Sequence, residues 1–289
     1  MASSPTLPPS LAKAWNIDAS ELIADTPSSL VFRVRRGADT QIVKSLKPAG
    51  RGELPGMDFL CWRQGNGAVQ LIDRIGDACL LADGGTQTLR EHLKVYGDET
   101  ATAVVLRVLD GLHAPSDRPA PATLVPLERH FRSLFELAKT AWSPEIGDLS
   151  AWAAREALEL VANQHAVRPL HGDLHHDNII HNAFGEWRAI DPQGLYGDPV
   201  YDVANIYGNP LGEGELILDR KRIIRLTETF ASHFDCRPSK VLRFAAVHAV
   251  LSAAWTLEDA ATQSGEANLA ERLAFARIAR SLFVEQFVD

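Results

Sequence analysis

The 289-residue sequence predicts an α+β fold of two lobes, in which a small antiparallel sheet precedes a larger, mostly helical part. Short apolar and β-branched runs separated by turn residues fill the N-terminal part, as is typical of antiparallel strands. A Gly-Gly pair at 84–85 then breaks the pattern, and the apolar spacing beyond it is helical. We therefore predict an N-terminal lobe at residues 1–83 and a C-terminal lobe at residues 84–289.

The N-terminal lobe is predicted to contain three antiparallel strands, one helix and a hairpin. The strands lie near 20–25, 30–35 and 40–46, separated by the turn signals "TPSS" and "RGAD". The helix begins after Pro55 or has Pro55 in its first turn, where the missing N–H of a proline does no harm. The segment "AVQLIDRIGDACLLAD" is then typical of a hairpin that turns at "IGD".

Helical spacing dominates the C-terminal lobe. It predicts helices over 99–113, "LERHFRSLFELAKT" and "DLSAWAAREALELVANQH". The third of these has Asp148 or Ser150 as its expected N-cap. Three further helical segments close the chain, near 213–234, 239–260 and 268–287. Pro238 fits the first turn of the middle one, and the short strands "IIHN" and "WRAID" lie before all three.

Composition limits the classes of partner. The formal net charge is −8, which argues against nucleic acid, because a phosphate backbone is bound by a basic surface. The three cysteines are scattered without a CxxC pair and predict neither a disulfide framework nor a structural zinc site. The N-terminus lacks a signal-peptide pattern, and no uncharged apolar run is long enough to span a bilayer. We therefore predict a cytoplasmic protein without nucleic-acid or membrane partners, and leave its oligomeric state open.

The stretch "HGDLHHDNII" (171–180) concentrates the candidate chemistry. His171 and His175 have the i,i+4 spacing of a zinc site on a helix, but Gly172 follows the first histidine and the glutamate of HExxH is missing. The chain has no GxSxG elbow, so a hydrolase nucleophile is not supported. Asp173 and Asn178, in contrast, have the D-x-x-x-x-N spacing of a phosphoryl-transfer loop. The stretch therefore favours a kinase-type site over a histidine metal cage.

Two further parts of a phosphoryl-transfer site follow the expected order. Asp191 ends the strand after the "NAFGE" turn, where a metal-binding carboxylate is needed. Lys44 lies in the third predicted strand, where a lysine holds the phosphates of the nucleotide. In this scheme Asp173 deprotonates the attacking hydroxyl, while Asn178 and Asp191 bind Mg²⁺ against the phosphates of ATP. The ordered set, rather than any one residue, predicts phosphoryl transfer.

These segments resemble the aminoglycoside phosphotransferases, a family of kinase-like enzymes. The resemblance is carried by "HGDLHHDNII", "AIDPQG" (189–194) and "GDPVYDVANIYGNP" (197–210). The last of these, together with "VLSAAWTLED" (250–259), is most similar to the aminoglycoside/hydroxyurea antibiotic resistance kinases, the branch of the streptomycin 6-phosphotransferases. The resemblance implies a bilobal protein-kinase-like fold and an ATP- and Mg²⁺-dependent transfer to a hydroxyl of a small cationic aminoglycoside such as streptomycin.

The resemblance also implies a role for each residue of the motifs. It gives Asp173 as the catalytic base and Asn178 and Asp191 as the Mg²⁺ ligands. His171 then braces the loop rather than reacting, and Asp202 caps a helix or ties the loop down.

For the nucleotide, the resemblance implies a lysine–carboxylate pair and a covering turn. Lys44 would hold the α- and β-phosphates, with Lys47 as a competitor. The acidic partner would be Glu53 or Asp58, of which Glu53 is preferred. The "TPSS" turn would cover the phosphates, and adenine would meet the backbone at the junction of the lobes. These predictions add three contact residues, Ser28, Ser29 and Ala82.

The acceptor site has its own candidate residues and its own alternatives. Candidates for binding a cationic aminoglycoside are Trp255, as a stacking wall, with Glu258 and Asp259 at the end of its helix. The alternatives are a kinase of another small hydroxylated metabolite, such as an amino alcohol, a sugar or a hydroxyurea-like compound, and a nucleotide-binding pseudokinase. The presence of the lysine, the base and both metal ligands argues against the pseudokinase.

Overall fold

A five-stranded antiparallel sheet forms the N-terminal part of the protein. The structure is a computed structural model and describes residues 5–140, 143–258 and 263–287, with the backbone alone at 263–266. The sheet has the order β1-β2-β3-β5-β4 and is built from β1 (Ala19–Asp25), β2 (Ser29–Arg36), β3 (Asp39–Leu46), β4 (Leu71–Ile75) and β5 (Ala78–Ala82). The predicted strands and the hairpin that turns at "IGD" are confirmed.

Two helices accompany this sheet. Helix α1 (Pro9–Ala14) packs Leu11 into a small apolar cluster with sheet residues such as Phe32 and Leu80. After β3, a 3₁₀ segment (Pro48–Glu53) leads into helix α2 (Leu54–Arg63), which has Pro55 in its first turn as predicted.

Helices make up most of the remaining chain, and short strands lie between them. The helices are α3 (Leu89–Tyr96), α4 (Asp98–Leu112), α5 (Leu127–His130), α6 (Arg132–Leu137), α7 (Pro144–Ala162), α8 (Gly214–Ile217), α9 (Arg220–His233), α10 (Pro238–Glu258) and α11 (Gln263–Gln286). The short strands are β6 (Gln87–Thr88), β7 (Val125–Pro126), β8 (Arg168–Leu170), β9 (Ile179–His181), β10 (Trp187–Ala189) and β11 (Leu195–Gly197).

The short strands hold the two motif loops. They form one sheet of order β10-β9-β6 and another of order β7-β11-β8. The "HGD" loop runs from β8 to β9, and the "DPQG" loop runs from β10 to β11. Both loops are therefore anchored at each end by strand pairing, which fixes functional side chains more firmly than a free loop does.

Helix α10 is the central helix of the C-terminal part. Among the described residues it is the one helix long and apolar enough to cross a membrane by length and composition, yet 67% of its most apolar window is buried inside the protein. It packs against α7, α9, α11 and a 3₁₀ segment at Pro199–Ile206. This burial identifies α10 as a core helix.

Three details of the helical prediction are wrong. Helix α7 begins at Pro144, so neither predicted N-cap residue is at its start. A proline at the first helical position has its φ angle preset for the helix. Asp148 instead forms an ion pair with Arg280, and the buried hydroxyl of Ser150 donates to the Gly147 carbonyl. The single helices predicted over "LERHFRSLFELAKT" and near 213–234 are also each divided, into α5 and α6 and into α8 and α9.

The first turn of α2 touches the "DPQG" loop through backbone atoms. A Cβ built on Gly56 would lie 1.8 Å from the Pro192 carbonyl oxygen, and one on Gly194 would lie 2.3 Å from the Pro55 carbonyl. Gly194 also has a φ of +74°, a conformation that a side chain disfavours. The two glycines thus let α2 sit directly on the segment that follows Asp191.

We expect Gly56→Ala to destabilise the protein by about 1–3 kcal/mol, because backbone atoms cannot yield to the added methyl group. Gly147→Ala is the matched control, since its Cβ would meet nothing within 4 Å and it lies inside α7. The control should gain about 0.5–1 kcal/mol from the better helix former. Urea unfolding of the two variants compares them directly. Equal stability would show that α2 and the loop are not in contact.

Candidate active site

The predicted phosphoryl-transfer residues line one cleft of about 600 Å³ between the five-stranded sheet and the motif loops. The sheet side contributes the "TPSS" turn, Lys44 and Glu53, and the other side contributes Asp173, Asn178 and Asp191. The remaining walls include His130, His175 and apolar residues of β7 and β11. Segments that lie far apart in the sequence therefore come together in one cleft, as the motifs predicted.

Lys44 bridges the two sides of the cleft. Its Nζ atom lies 2.8 Å from Glu53 Oε2 and 2.8 Å from Asp191 Oδ1. Burial acts to lower the pKa of Lys44, but the adjacent carboxylates outweigh it, so the pKa is raised above its ordinary value. The amine is therefore a fixed positive charge in the cleft.

The alternatives to this lysine–glutamate pair lie elsewhere. Lys47 is not part of the cleft lining, and its amine donates to Asp25 and to the Thr26 carbonyl. Asp58 accepts from Arg74 at 2.8 Å and from the Thr123 hydroxyl at 2.6 Å. Lys47 therefore does not take the place of Lys44 in this pair, and Asp58 does not take the place of Glu53.

Asp202 holds the start of the "HGD" loop. This buried carboxylate accepts from the backbone N–H of His171 at 3.2 Å and of Gly172 at 2.7 Å, and it contacts His113 Nε2 at 2.8 Å. Gly172 has a φ of +81°, so the turn here favours glycine. The loop is thus tied to the 3₁₀ segment at Pro199–Ile206 by charge-assisted hydrogen bonds.

His171 joins the two motif loops to each other. Its Nε2 atom donates to the Ile190 carbonyl at 2.9 Å, and its Nδ1 atom accepts from the Asp173 backbone N–H at 3.2 Å. The ring is fully buried, and this burial lowers the pKa of His171. The imidazole is neutral, is hydrogen-bonded at both ring nitrogens and lies outside the cleft lining. It is therefore placed to brace Asp173 and Asp191.

Asp173 presents a carboxylate at the base of the cleft. Its Oδ1 accepts from Asn205 Nδ2 at 2.8 Å, and its Oδ2 accepts from Asn178 Nδ2 at 3.2 Å. Burial raises the pKa of Asp173 to about 7, the Asn205 hydrogen bond opposes the rise, and the charge of Asp191 adds to it. A carboxylate with such a pKa is suited to accept a proton near neutral pH.

Asn205 was not predicted from the sequence. It lies inside the "GDPVYDVANIYGNP" segment, and Asn209 Nδ2 in turn donates to Asn205 Oδ1 at 2.9 Å and to the Asn205 carbonyl at 2.8 Å. Asn205 thus orients the Asp173 carboxylate, and Asn209 in turn holds Asn205 in place. The only sequence signal was their four-residue spacing in a segment already singled out, which does not by itself indicate a partner.

Asn178 and Asp191 offer oxygen atoms to the cleft. The Asn178 Nδ2 donates to the Asp173 carbonyl at 3.0 Å as well as to the carboxylate, which leaves Oδ1 as the atom that can bind a cation. Asp191 has a φ of +53°, and its side chain is 51% exposed while it pairs with Lys44. An amide oxygen and a carboxylate are the kinds of ligand that Mg²⁺ prefers.

The other histidine-motif residues support the loop. His175 Nδ1 accepts from the Asp177 backbone N–H at 3.3 Å, and burial lowers the pKa of His175 to about 4. His176 is buried. Asp177 receives two hydrogen bonds from Arg90, at 2.7 and 2.9 Å, a contact not predicted from the sequence. The motif is therefore anchored to α3 next to Asn178.

The predicted phosphate-covering turn lies at the cleft. Thr26 Oγ1 accepts from the Ser29 backbone N–H at 2.9 Å and contacts the Ser28 and Ser29 hydroxyls at 3.2 Å each. Gly50 lets the next segment approach, since a Cβ there would lie 2.0 Å from the Ser28 carbonyl oxygen. The turn is thus a compact group of hydroxyls on the Lys44 side of the cleft.

Ala82 is not brought to this cleft. It ends β5, and its N–H donates to the Gln70 carbonyl at 2.9 Å. Because that donor is already used, Ala82 cannot offer it to an adenine ring.

Two of the predicted acceptor residues, Trp255 and Glu258, are not part of the cleft lining. Trp255 packs its ring on His130 with centroids 5.4 Å apart, and His130 lines the cleft. The Glu258 carboxylate accepts from the Ser133 hydroxyl at 3.0 Å. Asp259 lies outside the described residues. Trp255 thus reaches the cleft only through His130, a residue that the sequence did not single out.

Several known proteins are similar to this chain in sequence or in fold. The family model described as aminoglycoside/hydroxyurea antibiotic resistance kinase matches residues 14–260. The streptomycin 3''-kinase of Klebsiella pneumoniae is 32% identical over 252 residues, which cover 85% of this chain and 90% of that protein. The streptomycin 6-kinase of Streptomyces griseus is 24% identical over 283 residues, covering 96% and 91% of the two chains.

Two solved structures show the same fold at low identity. Choline kinase LicA from Streptococcus pneumoniae matches with a TM-score of 0.65 and 14% identity, covering 94% of this chain and 96% of that one. Aminoglycoside phosphotransferase APH(4)-Ia, in a ternary complex with ADP and hygromycin B, matches with a TM-score of 0.62 and 14% identity, covering 93% and 97%. The predicted fold class, a small antiparallel sheet followed by a helical region, is confirmed.

Proposed function

The chain belongs to the aminoglycoside/hydroxyurea antibiotic resistance kinase family, and from this premise we propose that it transfers the γ-phosphoryl group of ATP to a hydroxyl of streptomycin. Its relatives make it a phosphotransferase with an alcohol group as acceptor. The observation that carries the proposal is the convergence of Lys44, Asp173, Asn178 and Asp191 on one cleft.

In the proposed reaction Asp173 is the catalytic base. Its carboxylate is oriented by two amide groups and accepts the proton of the acceptor hydroxyl as the oxygen attacks the γ-phosphorus in line. Lys44, held charged by Asp191 and Glu53, binds the α- and β-phosphates, and the hydroxyls of Ser28 and Ser29 cover them. The protein contributes position and charge rather than a covalent intermediate.

The residues of the cleft fit a magnesium ion. Asn178 Oδ1 and the exposed carboxylate of Asp191 would hold it, since both are oxygen ligands on anchored loops. A bound Mg²⁺ supplies neutralisation of the negative charge on the phosphates.

Streptomycin is proposed because the relatives named above are streptomycin kinases. Their names give two different positions on the antibiotic, 3'' and 6, so the position on the product must be measured. The structural relatives include a choline kinase, at an identity that supports the fold alone. We further propose that the protein acts in the cytoplasm on this small cationic substrate.

Mass spectrometry of candidate acceptors tests the proposal. The full chain is incubated with Mg²⁺ and ATP together with streptomycin, hygromycin B, choline or hydroxyurea in separate reactions. We expect streptomycin to gain one phosphate, and fragmentation of the product to place it on one hydroxyl. Phosphorylation of choline or hydroxyurea, with streptomycin unchanged, would replace the proposed acceptor by a different small metabolite.

A further inference from the structure

A chain of hydrogen-bonded rings leads from the cleft into the core. His130 lies at the end of α5, and its Nε2 atom is 2.7 Å from the Tyr201 hydroxyl. The same hydroxyl is 2.8 Å from His248 Nδ1 on α10. Tyr201 and His248 are buried, whereas His130 is partly exposed and lines the cleft with Asp173. The chain therefore has one end in the cleft and the other in the protein core.

The orientation of the His130 ring is also fixed by packing. Tyr201 and Trp255 meet it edge to face, with centroids 5.3 and 5.4 Å away. Trp255 contacts His248 as well, at 6.1 Å. Rings packed in this way hold each other in a single arrangement. Packing and hydrogen bonding together thus give His130 a set position, as a contact residue for a ligand requires.

We propose that His130 contacts a hydroxyl of the acceptor, and that Tyr201 and His248 are positioning residues that hold its imidazole in place. Because Tyr201 engages Nε2, Nδ1 is the ring nitrogen that remains for a ligand in the cleft. In one tautomer Nδ1 accepts a hydrogen bond and in the other it donates one. A hydroxyl does both, so a polyhydroxylated acceptor suits either tautomer. This inference rests on the proposed function and adds a specificity residue to it.

The charge state of the network suits a cationic acceptor. Burial lowers the pKa of His130 to about 3, and burial also lowers the pKa of His248 well below its ordinary value. The imidazole is therefore uncharged near neutral pH and does not repel amino or guanidino groups. His130 thus offers a polar contact in the same cleft as Asp173 and adds no positive charge there.

Three variants test the proposal by steady-state kinetics. His130→Phe keeps an aromatic ring against Tyr201 and Trp255 but removes both nitrogens, and we expect the KM for streptomycin to rise about tenfold with the KM for ATP unchanged. Tyr201→Phe deletes only the oxygen that holds His130, and we expect a rise of about threefold. In the double variant the KM should equal that of His130→Phe, because Tyr201 acts through His130.

Tyr207→Phe is the matched control. Tyr207 is also a buried tyrosine, and its hydroxyl contacts Thr227 Oγ1 at 3.1 Å rather than a cleft residue. Its KM for streptomycin should stay at the wild-type value. An effect on KM in the control equal to that of Tyr201→Phe would overturn the positioning role of Tyr201.

The outcomes separate this inference from the function on which it rests. If wild type phosphorylates streptomycin and His130→Phe keeps the wild-type KM for it, the inference is overturned and the function stands. If wild type phosphorylates a different acceptor, the function falls, and the KM for that acceptor decides on His130. If wild type phosphorylates nothing, both fall. Should His130→Phe fail to fold, an unchanged KM for streptomycin in Tyr201→Phe overturns the inference.

Discussion

Asp173→Asn is expected to lower the turnover of streptomycin by about 10²–10⁴-fold, the range that a positioned general base contributes. The amide has nearly the shape of the carboxylate but cannot accept the proton of the acceptor hydroxyl. Asn178 and Asn205 each donate to the carboxylate, so one donor will face the new NH₂ group. This mismatch costs about 1–3 kcal/mol, and it leaves the Lys44 side of the cleft untouched.

Nucleotide binding separates a chemical effect from a folding effect. Mg²⁺ and ATP should raise the melting temperature of Asp173→Asn as they raise that of wild type, since ligand binding stabilises the folded state. Asp148→Asn is the matched control, because it makes the same carboxylate-to-amide change at an exposed ion pair with Arg280. Its turnover should equal that of wild type. Undiminished turnover in Asp173→Asn would remove Asp173 from the role of base.

The sequence predicted which residues meet in the cleft, because these residues lie in short contiguous segments. The spacing from Asp173 to Asn178 is read directly, and "TQIVK" places Lys44 in an apolar strand. The ion pair of Lys44 with Glu53 joins residues nine positions apart, across one short segment. Local patterns of this kind survive folding, so the cleft could be assembled in outline from motifs alone.

Contacts that depend on tertiary structure could not be predicted in the same way. Asn205 reaches Asp173 across 32 positions, and His130 reaches Tyr201 across 71. Nothing in the local sequence distinguishes such residues from core or surface residues of the same type. The start of α7 was missed for a different reason: several residues could begin the helix, and Pro144 was preferred.

The close approach of α2 to the "DPQG" loop explains how the two sides of the cleft keep a fixed separation. Glu53 precedes α2, and Asp191 directly precedes Pro192, the residue that α2 contacts at Gly56. The backbone contact therefore sets the separation of the two carboxylates that share Lys44. A methyl group at Gly56 would push α2 away from the segment next to Asp191, which is why this substitution is expected to matter.

Acidification from pH 7.5 to 5 is expected to destabilise the protein through its buried histidines. The pKa of His130 is lowered to about 3 and that of His175 to about 4, in both cases mainly by burial. In the unfolded chain both titrate near an ordinary pKa of about 6.5. Between these values the unfolded state binds more protons, so stability is complete above about pH 6.5 and is lost as the pH falls. At pH 5 the two histidines together account for a loss of about 4 kcal/mol.

Asp173 acts in the opposite direction and must be removed to see this loss. Its pKa is raised to about 7, so below that pH the folded state takes up a proton that the unfolded state does not, and stability rises. Urea unfolding of Asp173→Asn at pH 7.5 and at pH 5 should therefore show a larger loss than wild type. In His130→Phe, made in the same background, about half of the 4 kcal/mol should disappear, because one of the two titrating rings is gone. A loss that is identical with and without His130 would mean that its imidazole is protonated in the folded protein.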